Sequence, residues 1–218
     1  MSLPRVLVFD LDGCTWWPEM CKLTFIVVIT AHVALLANLT KFTRTSPNRI
    51  YEYFYVDHLW GGGGSPFKPL ANGNVKDRSG TEVKILADLR DILIEVKSED
   101  KWKDTRIGVA SSCDEPAWAY ECISKIQIGK FQLKEIFEPG ITEIYKNCKT
   151  AHLKEISQKT RVDLRQMMFF DNEWSNCQAV ARLGVTVVYT PRGLTQELYQ
   201  EALQKFPETE GKIIGKRR

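Results

Sequence analysis

Short apolar runs closed by polar or glycine-containing turns alternate along this chain with stretches whose apolar residues recur every three or four positions. Val6-Leu7-Val8-Phe9 runs straight into Asp10-Leu11-Asp12-Gly13, and Met167-Met168-Phe169-Phe170 runs into Asp171-Asn172. Runs of this length without alternation read as strands buried on both faces of a parallel sheet. Residues 106–110 and 185–189 predict two further strands of that kind. Leu89, Ile92, Leu93 and Val96 mark a helix by their spacing, and Leu153 and Ile156 place another after Lys149. A helix is predicted over 173–183, and a last amphipathic one carries Leu198, Tyr199, Ala202, Leu203 and Phe206. Glu115-Pro116 opens one more, because proline suits a first helical turn. Asn72-Gly73 and Ser79-Gly80 predict tight turns around short strands at 74–78 and 81–86, a hairpin-like flap. Ile136-Phe137 and Ile144-Tyr145 read as short strands. Strands that alternate with helices predict an α/β fold with a central parallel sheet and a small flap or cap after the first strand.

One stretch departs from that alternation. Residues 23–39 are apolar except for Thr24, Thr30, His32 and Asn38. Their length of about 17 residues is the lower limit for a membrane span. Lys22 and Lys41 flank both ends, so charge assigns no orientation. A span, a buried or capping helix, and a segment foreign to the working fold all stay open. Residues 1–218 read as a single domain with 21–58 an apolar insert inside it; membrane association is not expected, and 23–39 is where it would reside. Gly61 to Gly64 form a flexible loop that lacks the Gly-Lys-Ser/Thr ending of a P-loop.

Ligands of parallel α/β sheets bind at the carboxyl ends of the strands, so chemistry is expected beside Asp10. Two carboxylates that close to an apolar wall are costly to ionise unless a cation or a shared proton relieves them. Mg²⁺ suits a site built from one or two carboxylates and a substrate phosphate. An isolated Asp-x-Asp is equally well explained by a cap and a turn, so the rest of the chain must decide. Ser111 after the 106–110 strand, Lys149 at a helix start and Asp171 at another strand end complete a set suited to phosphoryl transfer. Singly, a serine near a strand end is usually a turn former and a helical lysine is usually solvated. Their combination and order carry the reading.

Bulk properties narrow it further. The chain has 218 residues, is 44% hydrophobic and carries a formal net charge of +3, which suits one globular domain and gives no support to nucleic-acid binding. The basic tail from Lys212 to Arg218 reads as a solvated terminus. Six cysteines without a CxxC pair, and a first strand starting almost at Met1 with no cleavable leader, predict a reduced, cytoplasmic protein. Thiol phosphatases place an arginine six residues after their cysteine, whereas Arg182 follows Cys177 by five.

With these motifs in order, the chain resembles the haloacid dehalogenase (HAD) superfamily, and within it the magnesium-dependent phosphatase-1 group. The stretches that carry the likeness are Val8-Phe9-Asp10-Leu11-Asp12 with Trp17-Pro18, residues 67–86, and Val109-Ala110-Ser111. They continue with Glu143-Ile144-Tyr145 through Lys149 and His152, then Phe169-Phe170-Asp171-Asn172-Glu173, then Leu183-Gly184-Val185-Thr186. Residues 4–20 and about 59–206 are covered. The resemblance implies a HAD-like Rossmannoid three-layer sandwich and a Mg²⁺-dependent phosphomonoester hydrolase. In it Asp10 is the nucleophile, Asp12 the acid and base, and Lys149 pins nucleophile and phosphate, with Lys146 as its rival. Ser111, or less well Ser112, binds phosphate. Asp10, the Asp12 carbonyl and Asp171, with Asn172 beside them, hold the metal.

Three positions depart from that pattern: Cys14 stands where Thr or Val is usual, Ser112 where the group carries an arginine, and Asn172 where it carries a second aspartate. A neutral Asn172 weakens the negative field at the metal, and loss of the arginine alters substrate choice. The group's link to protein phosphotyrosine and to sugar or fructosamine phosphates makes a phosphorylated small molecule or a phosphoprotein the expected substrate. A phosphomutase or dehalogenase would keep the fold. A catalytically degraded binding or membrane-associated module is the alternative from another class.

Overall fold

The computed structural model describes residues 2–20 and 66–216, and its architecture follows from the buried runs. β1 (Val6–Phe9), β6 (Arg106–Ser111), β9 (Thr142–Ile144), β10 (Met167–Asp171), β11 (Thr186–Tyr189) and β12 (Ile213–Ile214) form one parallel sheet in the order β12-β11-β10-β1-β6-β9. Every residue of β1 and β10 is buried, as a doubly covered strand requires. Side chains alternate between faces along a strand. Leu7, Phe9, Met168 and Phe170 therefore enter one apolar cluster, and Val6, Val8, Met167 and Phe169 the other. Phe9 and Phe170 stack at 4.5 Å across the β1–β10 pair.

Helices cover both faces and make three layers. α1 (Leu89–Ser98) buries Leu89, Ile92, Leu93 and Val96, the four residues whose spacing predicts it. With α2 (Pro116–Lys125) and α6 (Gln196–Lys205) it packs on the Phe9 side. Opposite them, α4 (Lys149–Thr160) and α5 (Trp174–Ala181) contribute Leu153, Ile156, Cys177 and Val180 to the Val8 side. The chain leaves β1 for β6 and β9 on one side, then returns to β10 on the other. β1 and β10 thus flank the point where strand order reverses, the place where such sheets open a crevice.

The flap is a small antiparallel sheet, β2 (Trp16–Trp17), β3 (Lys68–Pro69), β4 (Val75–Lys76) and β5 (Glu82–Ile85), in the order β2-β5-β4-β3. Arg90 of α1 ties it down by donating from Nη2 to Asn74 Oδ1 at 2.7 Å, while Asn74 donates to Glu82 at 2.7 Å.

Several expectations change. Ile136 is not in a strand: α3 (Leu133–Ile136) is a single turn closed by a capping box between Gln132 and Glu135. Satisfying two terminal amides outweighs the strand preference of an apolar pair. A hairpin of β7 (Gln127–Ile128) and β8 (Phe131–Gln132) precedes it, turning through Gly129 at φ +57°. The tail is not wholly solvated, because Ile213 and Ile214 pair with Val187 and Val188 as the sheet's edge strand. Two isoleucines between lysines carry no strand signal until a neighbouring edge offers them hydrogen bonds. The 21–58 insert lies outside the described residues, among which no helix is long and apolar enough to cross a membrane.

Ile214 is 5% exposed, so Ile214→Ala should lower the unfolding free energy by about 2–3 kcal/mol. Urea denaturation measures it, and an unchanged midpoint would mean that β12 adds nothing to the sheet.

Candidate active site

Asp10 follows the last residue of β1, and its amide donates to the Phe170 carbonyl at 2.9 Å, which continues the ladder one residue past the strand. The chain then turns tightly, with Gly13, Cys14, Thr15 and Trp16 folding back on Leu11 and one another, and Thr15 Oγ1 donating to the Asp10 carbonyl at 2.5 Å. Gly13 sits at φ +77°, and a Cβ there would lie 2.6 Å from the Asn172 side-chain amide. Only glycine fits such a turn at such an approach. Asp10 and Asp12 are thereby held at the crevice with Asn172 beside them.

Lys149, the first residue of α4, sends a 4%-exposed side chain under the sheet's carboxyl end. Its ammonium contacts Asp10 Oδ1, donates to the Ala110 carbonyl at 2.8 Å and lies 3.8 Å from Asp171 Oδ2. Lys146, the rival lysine, pairs with Asp114 at 2.6 Å in an exposed bridge. Asp171 has no exposed surface, and its oxygens accept from the Glu173 amide at 2.7 Å and from Asn176 Nδ2 at 3.4 and 3.1 Å. It sits behind the crevice, whereas Asn172 lines it. In the amide orientation that satisfies hydrogen bonding, Asn172 Nδ2 donates to Asp10 Oδ2 at 3.3 Å and to the Asp12 carbonyl at 3.1 Å.

A cleft of about 180 Å³ gathers Asp10, Asp12, Ser111, Ser112, Lys149 and Asn172, six of the seven residues singled out from sequence. Ser111 is 2% exposed and lines the cleft. Glu19, Asp114, Glu173 and Asn176 also line the cleft. Sequence reasoning missed these four. Of them Asn176, the third residue of α5, reaches back to the Asp171 carboxylate, a contact no local pattern records. Two larger clefts, of about 410 and 580 Å³, lie around Trp102 and around Arg192. Neither joins buried carboxylates to a buried lysine.

Burial dominates the electrostatics. It raises Asp10 above the ordinary carboxylate range, with Lys149 pulling it back. It raises Asp171 to about 8, helped by the Asp10 charge and opposed by Lys149. Burial works against the charge on Lys149 too, but Asp10 and Asp171 outweigh it and hold its pKa above the ordinary value. Asp12 rises to about 6 through burial, although Trp16 Nε1 donates to its Oδ1 at 2.7 Å and the Met20 amide at 3.2 Å. Both donors use Oδ1, which leaves Oδ2 to carry a proton. Three carboxyls against one ammonium are short of positive charge, and a cation at the mouth would supply it. Among the described residues no three His, Cys, Asp or Glu side chains converge on one point. A fitting ligand set must therefore include amide or backbone oxygens.

One turn beyond Lys149, burial and then the Lys149 charge push His152 down to about 4 from an ordinary 6.5. The unfolded chain therefore takes up that proton first, so the contribution of neutral His152 is complete above about pH 6.5. It is lost as pH falls toward 4, by at most ~3 kcal/mol. Asp12 and Asp171, raised instead of lowered, act in the opposite direction, so the measurement is a difference. Thermal midpoints of wild type and His152→Gln should lie apart at pH 7 and converge by about pH 4.5; a constant gap would mean that His152 does not titrate in this way.

Comparison with known proteins adds to this geometry. The acid phosphatase family model matches residues 49–209. Human magnesium-dependent phosphatase 1 is 30% identical over 213 residues, covering 95% of this chain and 90% of that protein. A HAD-like hydrolase superfamily protein of Schizosaccharomyces pombe is 31% identical over 129 residues, 56% of this chain and 70% of its own. Among solved structures, a putative phosphatase from Clostridium difficile superposes with a TM-score of 0.54 at 13% identity, covering 100% of this chain and 96% of that one. A HAD family enzyme from Bacteroides thetaiotaomicron, in complex with magnesium and inorganic phosphate, superposes with a TM-score of 0.51 at 13% identity, covering 85% and 93%. The two superpositions bear on the fold.

Proposed function

We propose, for a chain that belongs to the acid phosphatase family of HAD-like hydrolases and is a phosphatase with a phosphorylated substrate, that it cleaves phosphomonoesters through an aspartyl phosphate on Asp10. The observation that carries this reading is the buried Lys149 ammonium on one oxygen of Asp10 while the other oxygen faces the Asn172 side chain at the cleft. A carboxylate gripped on one side by a buried ammonium and turned to the cleft on the other is oriented to attack.

In the first step an Asp10 oxygen forms a bond to phosphorus as the bond to the leaving oxygen breaks, and the Asp12 carboxyl gives that oxygen its proton. Lys149 and the Ser111 hydroxyl hold phosphoryl oxygens, and Ser112 borders the same space. In the second step the Asp12 carboxylate takes a proton from water, the water oxygen bonds to phosphorus, and the aspartyl bond breaks to release inorganic phosphate. A pKa of about 6 lets Asp12 serve in both protonation states near neutrality.

Mg²⁺ fits the mouth of the cleft. An Asn172 amide oxygen turned to where the hydrogen-bonding nitrogen lies would join Asp10 Oδ2 and the Asp12 carbonyl as three hard oxygen donors around one point. Asp171, with both oxygens engaged behind them, would orient Lys149 and Asn176 and add negative charge. Bound there, the ion supplies the charge that phosphoryl oxygens and Asp10 need to approach one another. The expected substrates are sugar phosphates or protein phosphotyrosine.

Hydrolysis of a generic aryl phosphate should stop with a chelator and fall at least ~10³-fold in Asp10→Asn; full turnover by that variant would remove Asp10 as nucleophile. Mg²⁺ binding at pH 7 should also release on the order of one proton, because a cation drives the raised carboxyls to ionise. Calorimetry in two buffers of different ionisation enthalpy reads that number, and Asp171→Asn should shrink it. Binding without proton release would place the ion away from these groups.

A further inference from the structure

His152 takes no part in the scheme above, yet it has no exposed surface and lies one turn beyond Lys149 on α4. Its Nε2 is 3.1 Å from the Tyr145 carbonyl, and its ring meets the Tyr145 ring edge-on at 4.4 Å. Tyr145 follows the end of β9 and begins the loop 145–148 that leads to Lys149. Its amide donates to the Ser111 carbonyl at 3.2 Å. One peptide segment thus bonds Ser111 on one side and His152 on the other, between the serine and the lysine of the cleft.

We propose that His152 is a positioning residue whose Nε2–H, donated to the Tyr145 carbonyl, holds the 145–148 loop so that Ser111 and Lys149 meet the same phosphoryl group. This rests on the phosphatase reading of the cleft. A carbonyl accepts only, so Nε2 carries the hydrogen and Nδ1 bears a lone pair. Buried Nδ1 has no hydrogen-bond partner among the described residues. An unpartnered buried acceptor is a standing cost, and an apolar ring of similar size would pack without it. What histidine offers at this position, and phenylalanine does not, is the donor. Its neutrality follows from burial and then from the charge of the Lys149 ammonium one turn away.

Lys149 is held at its tip by Asp10 and Ala110, but its backbone is placed by the loop and by the first turn of α4. Releasing the Tyr145 carbonyl frees that backbone while the apolar packing of Leu153 and Ile156 survives. The expected defect therefore lies in the alignment of reacting groups more than in folding.

The experiment compares full-length wild type, His152→Phe and His152→Gln. It measures aryl phosphate kinetics with Mg²⁺, the thermal midpoint, and deuterium uptake of a peptide spanning 145–148. His152→Phe should stay folded at the assay temperature and lose about tenfold or more in kcat with KM changed by no more than about threefold, as misalignment predicts. Its 145–148 peptide should exchange faster. Glutamine keeps a donor at a similar reach and should restore most of kcat and the slow exchange. Phenylalanine at wild-type kcat, glutamine no better than phenylalanine, or a loss explained by the unfolded fraction would each overturn the proposal. If wild type itself fails to hydrolyse phosphate esters, the phosphatase reading falls and exchange decides alone. Faster uptake confined to the phenylalanine variant supports positioning by His152, and equal uptake in all three refutes it.

Discussion

A lysine ammonium and a carboxylate, both buried, meet at the carboxyl ends of β1 and β10. Both charges have left water to get there, and such a pair is worth little as net stabilisation but costs about 3–5 kcal/mol to break by removing one member. The surroundings explain how the pair is tolerated. The Ala110 carbonyl takes another hydrogen of Lys149, and an Asp171 oxygen lies 3.8 Å from the same ammonium. Asp171 is steadied in turn by the Glu173 amide and Asn176. Charge that is expensive to bury is kept where phosphate chemistry needs it.

The sheet makes that meeting possible. Asp10 and Asp171 are 161 positions apart by residue number, yet Phe9 pairs with Phe170, so the two carboxylates leave neighbouring strands at one level. Ser111 leaves β6 on the other side of β1. A slip of one residue in β10 would turn Asp171 to the opposite face and carry the Phe9–Phe170 stack with it. The apolar core thus holds the register of the polar site.

The family departures fall at different depths around this pair. Cys14 is 1% exposed and bonds Thr190 at 3.2 Å and the Phe170 carbonyl at 3.5 Å, so its thiol serves the packing under the turn, where burial pushes its pKa well up. Asn172 lies at the mouth, against Asp10 and the Asp12 carbonyl, where an amide can present either oxygen or nitrogen. Ser112 borders the cleft without the reach of an arginine.

Local pattern was enough to read the strands at 6–9, 106–110 and 167–170, the α1 face, and Asp10, Asp12, Ser111 and Lys149 of the cleft, because buried strands and helix faces write their periodicity into the chain; Ser112 and Asn172 came from the family resemblance. It was also enough to mark Asp10, Ser111, Lys149 and Asp171 as strand-end or helix-start groups. It could not tell that Asp171 turns inward while Asn172 faces the cleft, since adjacent residues at a strand end differ only in how the following turn directs them. Nor could it find Glu19, Asp114 and Glu173 in the cleft lining, or see that Tyr145 links Ser111 to His152. Ile213 and Ile214 became a strand only because β11 left an unpaired edge beside them. Each of these depends on contacts between segments distant in the chain, which no local periodicity records.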